Sequence, residues 1–329
     1  MRGALTRLPR PFPRASTRSA RVDPRLLVVG AAVLWGTTGT ARALGPDDAS
    51  PTAVGAVRLV VGALCLLALA RAGYLRSSDP AAPADPTGPW PAPGTPGGGR
   101  ARGAWRAYIP QALAAVAIAA YQPLFFSGVA RAGVAVGTVV GIGSSPVFAG
   151  VLGMVVRGER PGGRWLAATG LALAGTALLV GNSGGDVDPV GIGLALGAGL
   201  AYAVYVLASK LALDRGWGPD AATLVVFSLA GMLLVPVALA AGIGPLLTPG
   251  GLLMATHLGV ITVALAYLLF GRGLTGVGVG AAGTLTLAEP ATAATLGVAV
   301  LGERPGAATA AGIGLIVAGL VALAARRAV

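Results

Sequence analysis

The sequence predicts an all-α integral membrane protein with ten transmembrane helices, arranged as two inverted-topology repeats of five helices. Three observations predict this fold class. Hydrophobic residues make up 55% of the chain and charged residues only 11%, whereas an ordinary soluble domain has about 25% charged residues. The apolar residues fall into stretches near the roughly 20 residues needed to cross a bilayer. Motifs of the first half also recur in the second half.

The apolar stretches predict five spans in each half of the chain. They cover residues 26–44, 51–71, 107–128, 133–156 and 163–181, and then 190–213, 221–242, 250–271, 276–301 and 306–325. Between spans two and three, residues 77–104 are rich in proline, glycine and alanine, which predicts a disordered cytoplasmic loop. The predicted domains are a basic segment 1–25, a first repeat 26–181, a second repeat 189–325 and a tail 326–329.

The internal repeat fixes the relative orientation of the two halves. Gly158-Glu159-Arg160-Pro161 recurs as Gly302-Glu303-Arg304-Pro305, and Pro146 matches Pro290 at the same spacing. Because each repeat has an odd number of spans, the second repeat crosses the membrane in the opposite sense. The two matched prolines lie inside spans and predict matching helix irregularities in both copies.

The formal net charge of +12 comes from arginines whose positions indicate the orientation of the chain in the membrane. It therefore predicts no nucleic-acid partner. Arginines are concentrated in residues 1–25 and 71–106. With a cytoplasmic amino terminus, only Arg42, Arg131 and Arg304 fall on the outer side, which follows the positive-inside rule. Ten spans place both termini in the cytoplasm. Arginine far outnumbers lysine, and alanine and glycine are abundant, so we expect the plasma membrane of a high-GC bacterium.

Several classes of protein are excluded by missing motifs. Cys65 is the single cysteine and His257 the single histidine, so the chain has neither an internal disulfide framework nor a zinc triad. The sequence also lacks a Walker A loop, a His-Glu-x-x-His motif and a Gly-x-Ser-x-Gly elbow. We therefore expect no cofactor and no enzymatic activity.

Two charged residues stand out inside the predicted spans, Arg58 in span two and Glu289 in span nine. A charge at the bilayer centre costs about 2.5–3.5 kcal/mol, so such residues usually face a cavity or a partner. Glu289 is the leading candidate. It can bind a substrate amine, exchange a coupling proton, or pair permanently with an arginine. Arg58 is either a helix-anchoring contact or a recognition group for a carboxylate or phosphate.

Other polar and aromatic residues complete the predicted pocket. We expect Trp35, Gln122, Tyr202 and Tyr205 to surround a solute together with Glu289, because aromatic faces suit apolar or cationic groups. Weaker candidates are Thr38, Tyr121, Ser144, Ser145, His257 and Tyr267. Aromatic residues near span ends are typical interfacial anchors; this interpretation covers Trp105, Trp165 and Trp217 and is the alternative for Tyr267.

These motifs resemble a known family. The Trp35-Gly36 pair, Arg58, and the double pattern that begins at Ser145-Pro146 and at Glu289-Pro290 resemble the EamA-type branch of the drug/metabolite transporter (DMT) superfamily. The resemblance covers nearly all of residues 26–325. It implies an inverted-repeat carrier, typically a bacterial exporter of amino acids, related metabolites or drugs. The family often has an acidic residue before the proline, so Ser145 argues against a symmetric two-carboxylate mechanism.

The sequence thus predicts a secondary transporter that works by alternating access, most simply an exporter. The alternatives are a metabolite importer and a non-transporting membrane receptor or scaffold. The expected partners are a small-molecule solute and the lipid bilayer. Because two related halves give one chain a complete cavity, a monomer suffices, and a dimer is also compatible with the sequence.

Overall fold

The computed structural model describes residues 22–75, 108–180, 188–302 and 306–324, and within these ranges the regular structure is helical throughout. The helices are α1 (Pro24–Ala43), α2 (Pro51–Arg71), α3 (Ile109–Ala132), α4 (Val134–Arg157), α5 (Gly163–Val180), α6 (Pro189–Asp214), α7 (Pro219–Ala241), α8 (Pro249–Leu274), α9 (Val279–Leu301) and α10 (Ala307–Ala324). In the described residues, eight helices are long and apolar enough to cross a membrane, and Ala310–Leu323 within α10 is a shorter apolar stretch. The predicted all-helical membrane fold is confirmed, and the count of ten crossings stays a prediction.

Several helices begin where the local sequence dictates. Asp23 and Asp188 each accept a hydrogen bond of 2.9 Å from the backbone N–H two residues further on, and proline follows each of them. Ser50 and Thr248 cap α2 and α8 with their hydroxyl groups in a similar way. A polar cap followed by proline satisfies the free N–H groups of a first turn and presets its backbone. The starts of α1 and α6 therefore share one local signal in both halves.

Repeat-related glycines end α4 and α9. Gly158 and Gly302 have φ angles of 65° and 71°, the left-handed conformation in which glycine commonly ends a helix. The next three residues of the second copy, 303–305, lie outside the described residues. The predicted loop 77–104, the tail 326–329 and most of the basic segment 1–25 also lie outside them.

The last helices of the two halves pack on each other through a reciprocal contact. A Cβ atom added at Gly175 of α5 would lie 2.5 Å from the carbonyl oxygen of Gly312, and one added at Gly319 of α10 would lie 2.6 Å from that of Ala168. Gly175 corresponds to Gly319 in the repeat, and Ala168 to Gly312. Backbone contacts of this kind require small residues. The reciprocity shows that α5 and α10 run antiparallel about a pseudo-two-fold axis.

Other helix pairs obey the same symmetry. The Ser50 hydroxyl at the start of α2 donates to Ala241 O at the end of α7 (3.2 Å), and Gly231 packs against Ala63, so these related helices are also antiparallel. Helix α6 packs on α3 and α4, just as α1 packs on α8 and α9. Equivalent helices thus run in opposite directions, as two inverted repeats require.

The second half contains two helix interruptions that the hydropathy pattern does not reveal. Residues Leu258–Leu265 of α8 form a π-helix between two α-helical parts, and α9 is broken between Leu285 and Ala288. At the π-helix, a Cβ atom added at Gly62 of α2 would lie 2.3 Å from Val263 Cγ1. The interrupted part of α8 therefore crosses α2 at close range, and π-helical turns are common at functional sites.

The α5–α10 contact predicts a position-specific effect of adding one methyl group. Gly319→Ala should lower the free energy of unfolding by about 1–3 kcal/mol, because the new Cβ atom would meet backbone. Gly314→Ala is the matched control on the same helix, since nothing lies within 4 Å of its added Cβ. Thermal unfolding in detergent compares the two variants with the wild type. Equal midpoints for both alanine variants would contradict the proposed close contact.

Candidate functional site

An aromatic cluster lies between the two halves of the protein. The Trp35 ring of α1 lies 4.8 Å from the Tyr267 ring, 5.5 Å from Phe270 and 6.3 Å from Tyr202, measured between centroids. Tyr267 and Phe270 belong to α8, and Tyr202 belongs to α6. The remaining members of this central aromatic cluster are Tyr121, Tyr205 and Phe227. The cluster therefore joins five helices through edge-on and tilted ring contacts.

Of the two interpretations of Tyr267, a pocket residue or an interfacial anchor, the interfacial anchor is wrong. Its side chain is 4% exposed, and its ring centroid lies 4.2 Å from that of Phe227. The interrupted helix α8 turns this residue toward the protein interior, whereas position along a span alone placed it near a membrane interface. Tyr267 is therefore part of the candidate site.

Arg58 and Gln122 form a polar pair beside the aromatic cluster. The Arg58 Nη2 group donates a hydrogen bond of 3.2 Å to Gln122 Oε1. Gly55, one turn before Arg58, makes room for this approach, because an added Cβ atom would lie 3.2 Å from the same oxygen. Gln122 is buried, and its amide group fixes part of the guanidinium in place. The predicted residues of spans two and three are thus in direct contact.

The helix around Pro146 shows why the two repeats differ at the predicted site. A proline has no N–H group, so it leaves the carbonyl four residues earlier without its helical donor. In α4 the Ser145 hydroxyl donates to that carbonyl, Ile142 O, at 2.8 Å. With this replacement bond, α4 continues as one helix from Val134 to Arg157.

In the corresponding turn of α9, a different group donates to the carbonyl that the proline leaves free. Pro290 leaves Thr286 O without its usual donor, and the Glu289 backbone N–H bonds to that oxygen at 3.0 Å. This tighter turn accompanies the break before Ala288, so the carboxylate of Glu289 lies in the first turn after an interruption. The predicted matching irregularity is therefore wrong for α4. In each copy, the residue before the proline determines whether the helix continues or is interrupted.

The Trp35-Gly36 pair couples the aromatic cluster to this turn. A Cβ atom added at Gly36 would lie 2.9 Å from Glu289 O and 2.5 Å from Thr292 Cβ. Helix α1 can approach the turn closely only because residue 36 has no side chain. Trp35 consequently projects into the central aromatic cluster while its neighbour contacts the backbone of Glu289.

Arg58 and Glu289 both lie beside the central aromatic cluster without a direct ion pair among the described residues. In the part of the chain that the structure describes, the Glu289 carboxylate has neither a salt-bridge partner nor a hydrogen-bond donor. Arg58 is bonded to Gln122, the neighbour of Tyr121, and the backbone of Glu289 contacts Gly36, the neighbour of Trp35. A permanent pairing of Glu289 with an arginine is therefore absent among the described residues.

Several buried polar atoms around this point have no hydrogen-bond partner among the described residues. They are Trp35 Nε1, Thr38 Oγ1, Arg58 Nε, Gln122 Nε2 and the Tyr202 hydroxyl. The three nitrogen atoms are donors only. Each buried unpaired group costs about 1–3 kcal/mol, so a concentration of them in one place marks a functional site. This set is complementary to a ligand with acceptor oxygens.

Other sequence candidates lie apart from these atoms. The Tyr205 ring joins the aromatic cluster, but its hydroxyl group is hydrogen-bonded to Ser209 on the same helix. His257 Nε2 lies 2.9 Å from the Thr37 hydroxyl, which is an ordinary hydrogen-bonded arrangement. Phe270 and Thr292 were missed by the sequence analysis. Apolar periodicity gives no signal for the direction that a ring or hydroxyl faces inside a membrane bundle.

Comparisons with known proteins agree with this architecture. A family model described as the EamA-like transporter family matches residues 25–181 and 189–325. The chain is 41% identical over 304 residues to the uncharacterized transporter YwfM of Bacillus subtilis (strain 168), covering 91% of this chain and 93% of that protein. A solved crystal structure has a TM-score of 0.68 at 21% identity, covering 92% of this chain and 96% of the other. The similarity to this solved structure shows a shared fold.

The carboxylates of Asp220, which is buried, and Glu289, which is half-buried, predict different stability effects. Asp220 is 3% exposed and accepts hydrogen bonds of 2.7 and 2.8 Å from Arg272, so Asp220→Asn should lower the free energy of unfolding by about 3 kcal/mol. Glu289→Gln should leave it nearly unchanged, because no ion pair is lost. Thermal unfolding in the same detergent measures both. A larger loss for Glu289→Gln than for Asp220→Asn would show that Glu289 has a structural role.

Proposed function

This chain belongs to the EamA-like transporter family of the DMT superfamily, and we propose that it exports amino acids or related small metabolites by alternating access. Family membership makes it a multi-pass membrane transporter. The observation that supports this class of solute is the pair of opposite charges at Arg58 and Glu289, which both lie beside the central aromatic cluster without a direct ion pair among the described residues. A solute that is itself zwitterionic complements both.

Arg58 is the proposed site for the solute carboxylate. Gln122 accepts one hydrogen bond from the guanidinium, while Arg58 Nε has no partner among the described residues. A guanidinium presents several donors in one plane and binds a carboxylate through two of them. Gln122 Nε2 and Trp35 Nε1 are further buried donors without a partner among the described residues. This end of the site therefore favours a group with two acceptor oxygens.

Glu289 is the proposed site for the solute amine. Its carboxylate offers acceptor oxygens that no described donor occupies, in a position where desolvation penalises an isolated charge. An ammonium group compensates that charge while the solute carboxylate compensates Arg58. A buried charge without a partner is costly. A zwitterion pairs with both Arg58 and Glu289, so it is favoured over a solute that carries a single charge.

The central aromatic cluster forms the proposed wall for the rest of the solute. Trp35 and Tyr202 are 6% and 8% exposed and meet edge to face, so they leave little room for a large substituent. Aromatic faces accept apolar side chains and also stabilise a nearby ammonium group. We therefore propose small, partly apolar amino acids or similar metabolites as the solute class.

The site draws its residues from both repeats. Trp35, Arg58 and Gln122 come from the first half, whereas Tyr202 and Glu289 come from the second. When the halves move relative to each other, the access route and the distance between the opposite charges change together. This arrangement is the basis of alternating access in transporters built from inverted repeats.

The remaining features of the proposal follow from the charge distribution and the repeat. We propose a bacterial plasma-membrane protein with both termini in the cytoplasm and with repeats at residues 26–181 and 189–325. One chain contains all the residues of the candidate site, so a monomer suffices for transport. Within each described range, the connections between consecutive helices are short and supply little structure for another activity.

The first functional prediction concerns the solute moved by living cells. Cells that express the wild type should accumulate at least one amino acid or related metabolite outside, relative to cells with an empty vector. Glu289→Gln at matched membrane abundance should lose this enrichment, because the amine site is neutralised. An untargeted profile of metabolites inside and outside the cells measures both effects.

Two results would contradict the proposed export. Coinciding profiles for wild type, Glu289→Gln and empty vector mean that no solute is exported, whereas enrichment inside the cells shows import. Asp220→Asn serves as the control for reduced stability, since it removes a buried carboxylate outside the site. Its export per molecule of folded protein should match that of the wild type.

The second functional prediction concerns Arg58 and the solute carboxylate. In liposomes, the wild type should transport the identified solute at least about tenfold better than its carboxamide, because one charge-assisted pair is worth about 1.5–3 kcal/mol. Arg58→Met should transport both compounds poorly and without discrimination. Competition against the labelled solute gives the ratio. Retained discrimination in a folded Arg58→Met protein would exclude carboxylate recognition by this residue.

A further inference from the structure

A polar network joins the two halves at the end of the bundle where α4 terminates. The Glu159 carboxylate accepts a hydrogen bond of 3.1 Å from the backbone N–H of Val279, the first residue of α9. Arg157 Nε donates to the same carboxylate at 3.0 Å, and Arg157 Nη1 bonds to Asp214 at the end of α6. One turn of the first repeat is thereby fixed to two helices of the second repeat.

The same network extends to the end of α8 through Lys210. Its Nζ group lies 3.8 Å from Asp214 and donates hydrogen bonds to the last carbonyls of α8, Leu274 O at 2.8 Å and Thr275 O at 3.1 Å. The Lys210 side chain is 9% exposed. Cations are favourable at the carboxyl ends of helices, and carboxylates at their amino ends. Lys210 and Glu159 therefore bind opposite ends of the consecutive helices α8 and α9.

Glycines shape the space that the Glu159 carboxylate occupies. Gly158 takes the left-handed conformation that directs the chain back over α4, and Glu159 N bonds to Gly153 O at 3.1 Å. Cβ atoms added at Gly153 and Gly278 would lie 2.8 and 3.0 Å from Glu159 Oε2. The carboxylate thus fits between two helices at positions that lack side chains. Because the fit is close, the Glu159 carboxylate can occupy this position only at the present distance between α4 and α9.

We propose that this network, the α4 latch, closes one end of the central site and breaks and re-forms in every transport cycle. The latch comprises the side chains of Arg157, Glu159, Lys210 and Asp214 with the backbone of residues 274, 275 and 279. It connects the first repeat to the second, so a route from the site to this end requires these bonds to separate. The inference rests on the proposed alternating access.

The latch also acts on the helix that carries the proposed amine site. Val279 and Glu289 are both in α9, so the bond to Glu159 and the Glu289 carboxylate are about 15 Å apart along the helix at 1.5 Å per residue. The break between Leu285 and Ala288 lies between these two points. Release of Val279 lets the first segment of α9 move while the Glu289 turn stays packed on Gly36.

Access of a small thiol reagent to the central site tests the latch without a known solute. The reporter is Thr38→Cys in a Cys65→Ala background, since Thr38 Oγ1 is buried beside the site. A membrane-impermeant thiosulfonate is applied to the membrane face at which the latch lies, which is the inner face in the proposed orientation. Glu159→Ala should raise the labelling rate by about tenfold, because the closed population falls.

Two further variants control this measurement. Glu159→Gln should label at an intermediate rate, because its amide oxygen still accepts from Val279 N–H but the side chain no longer has the charge that forms an ion pair with Arg157. Asp188→Asn should label like the reporter protein itself. It removes an exposed ion pair at the other end of the bundle, where hydrogen bonds from Arg131 and from the backbone N–H of Val190 hold the pKa of Asp188 below its usual value.

A reversible cross-link tests the latch in the opposite direction. A Cβ atom built at Gly153 lies 3.5 Å from Val279 Cβ, which is within disulfide range, and 2.8 Å from Glu159 Oε2, so the disulfide takes the place of the Glu159 bond between α4 and α9. In the Cys65→Ala background, oxidised Gly153→Cys/Val279→Cys protein should lose at least about nine-tenths of the solute flux in liposomes, and reduction should restore it. Each single cysteine variant, treated with the same oxidant, controls for other oxidation.

The outcomes separate the latch from the proposed function. Labelling that is equal in Glu159→Ala and the reporter protein, or full flux in the oxidised double-cysteine protein, overturns the latch. If the wild type moves no solute while Glu159→Ala accelerates labelling, the export proposal fails and the latch stands as a conformational contact. Unfolding midpoints near that of the wild type establish that each variant is folded.

Discussion

The architecture depends on close backbone contact between helices of the two repeats. Lipid surrounds the bundle with apolar groups, so burying more apolar surface gives little advantage, and helices associate through tight packing and hydrogen bonds. Gly175 and Gly319 show this constraint most clearly, since a Cβ atom added at either position would collide with a backbone carbonyl of the partner helix. The same requirement brings Gly36 against the Glu289 turn. Small residues therefore place both the scaffold and the site.

The site itself arises from a broken symmetry. Both repeats keep a proline at the same position, and each proline frees a backbone carbonyl. In the first copy the Ser145 hydroxyl occupies Ile142 O and the helix continues. In the second copy Glu289 satisfies Thr286 O with its backbone, and its side chain has no described donor. One difference in sequence thus separates a continuous helix from an interrupted one.

The ends of the bundle and its centre are linked through α9. Its first residue is bonded to Glu159, its middle is interrupted, and its second segment begins beside the candidate site. The aromatic cluster holds α1, α6 and α8 around that segment. The first segment of α9 therefore links the Glu159 end of the bundle to the interruption that precedes Glu289.

The sequence by itself determined the membrane class, the approximate helix limits, the duplication with opposite sense, and the charged residues Arg58 and Glu289, because hydropathy, caps and repeated motifs are local signals. Only the tertiary structure decided that Tyr267 faces inward, that Gln122 binds Arg58, that α4 stays intact over Pro146, and that Glu159 reaches α9. These features depend on how each helix is rotated against partners far away in sequence. In an apolar chain, hydrophobic periodicity does not specify that rotation, since both the lipid-facing and the buried surfaces are apolar.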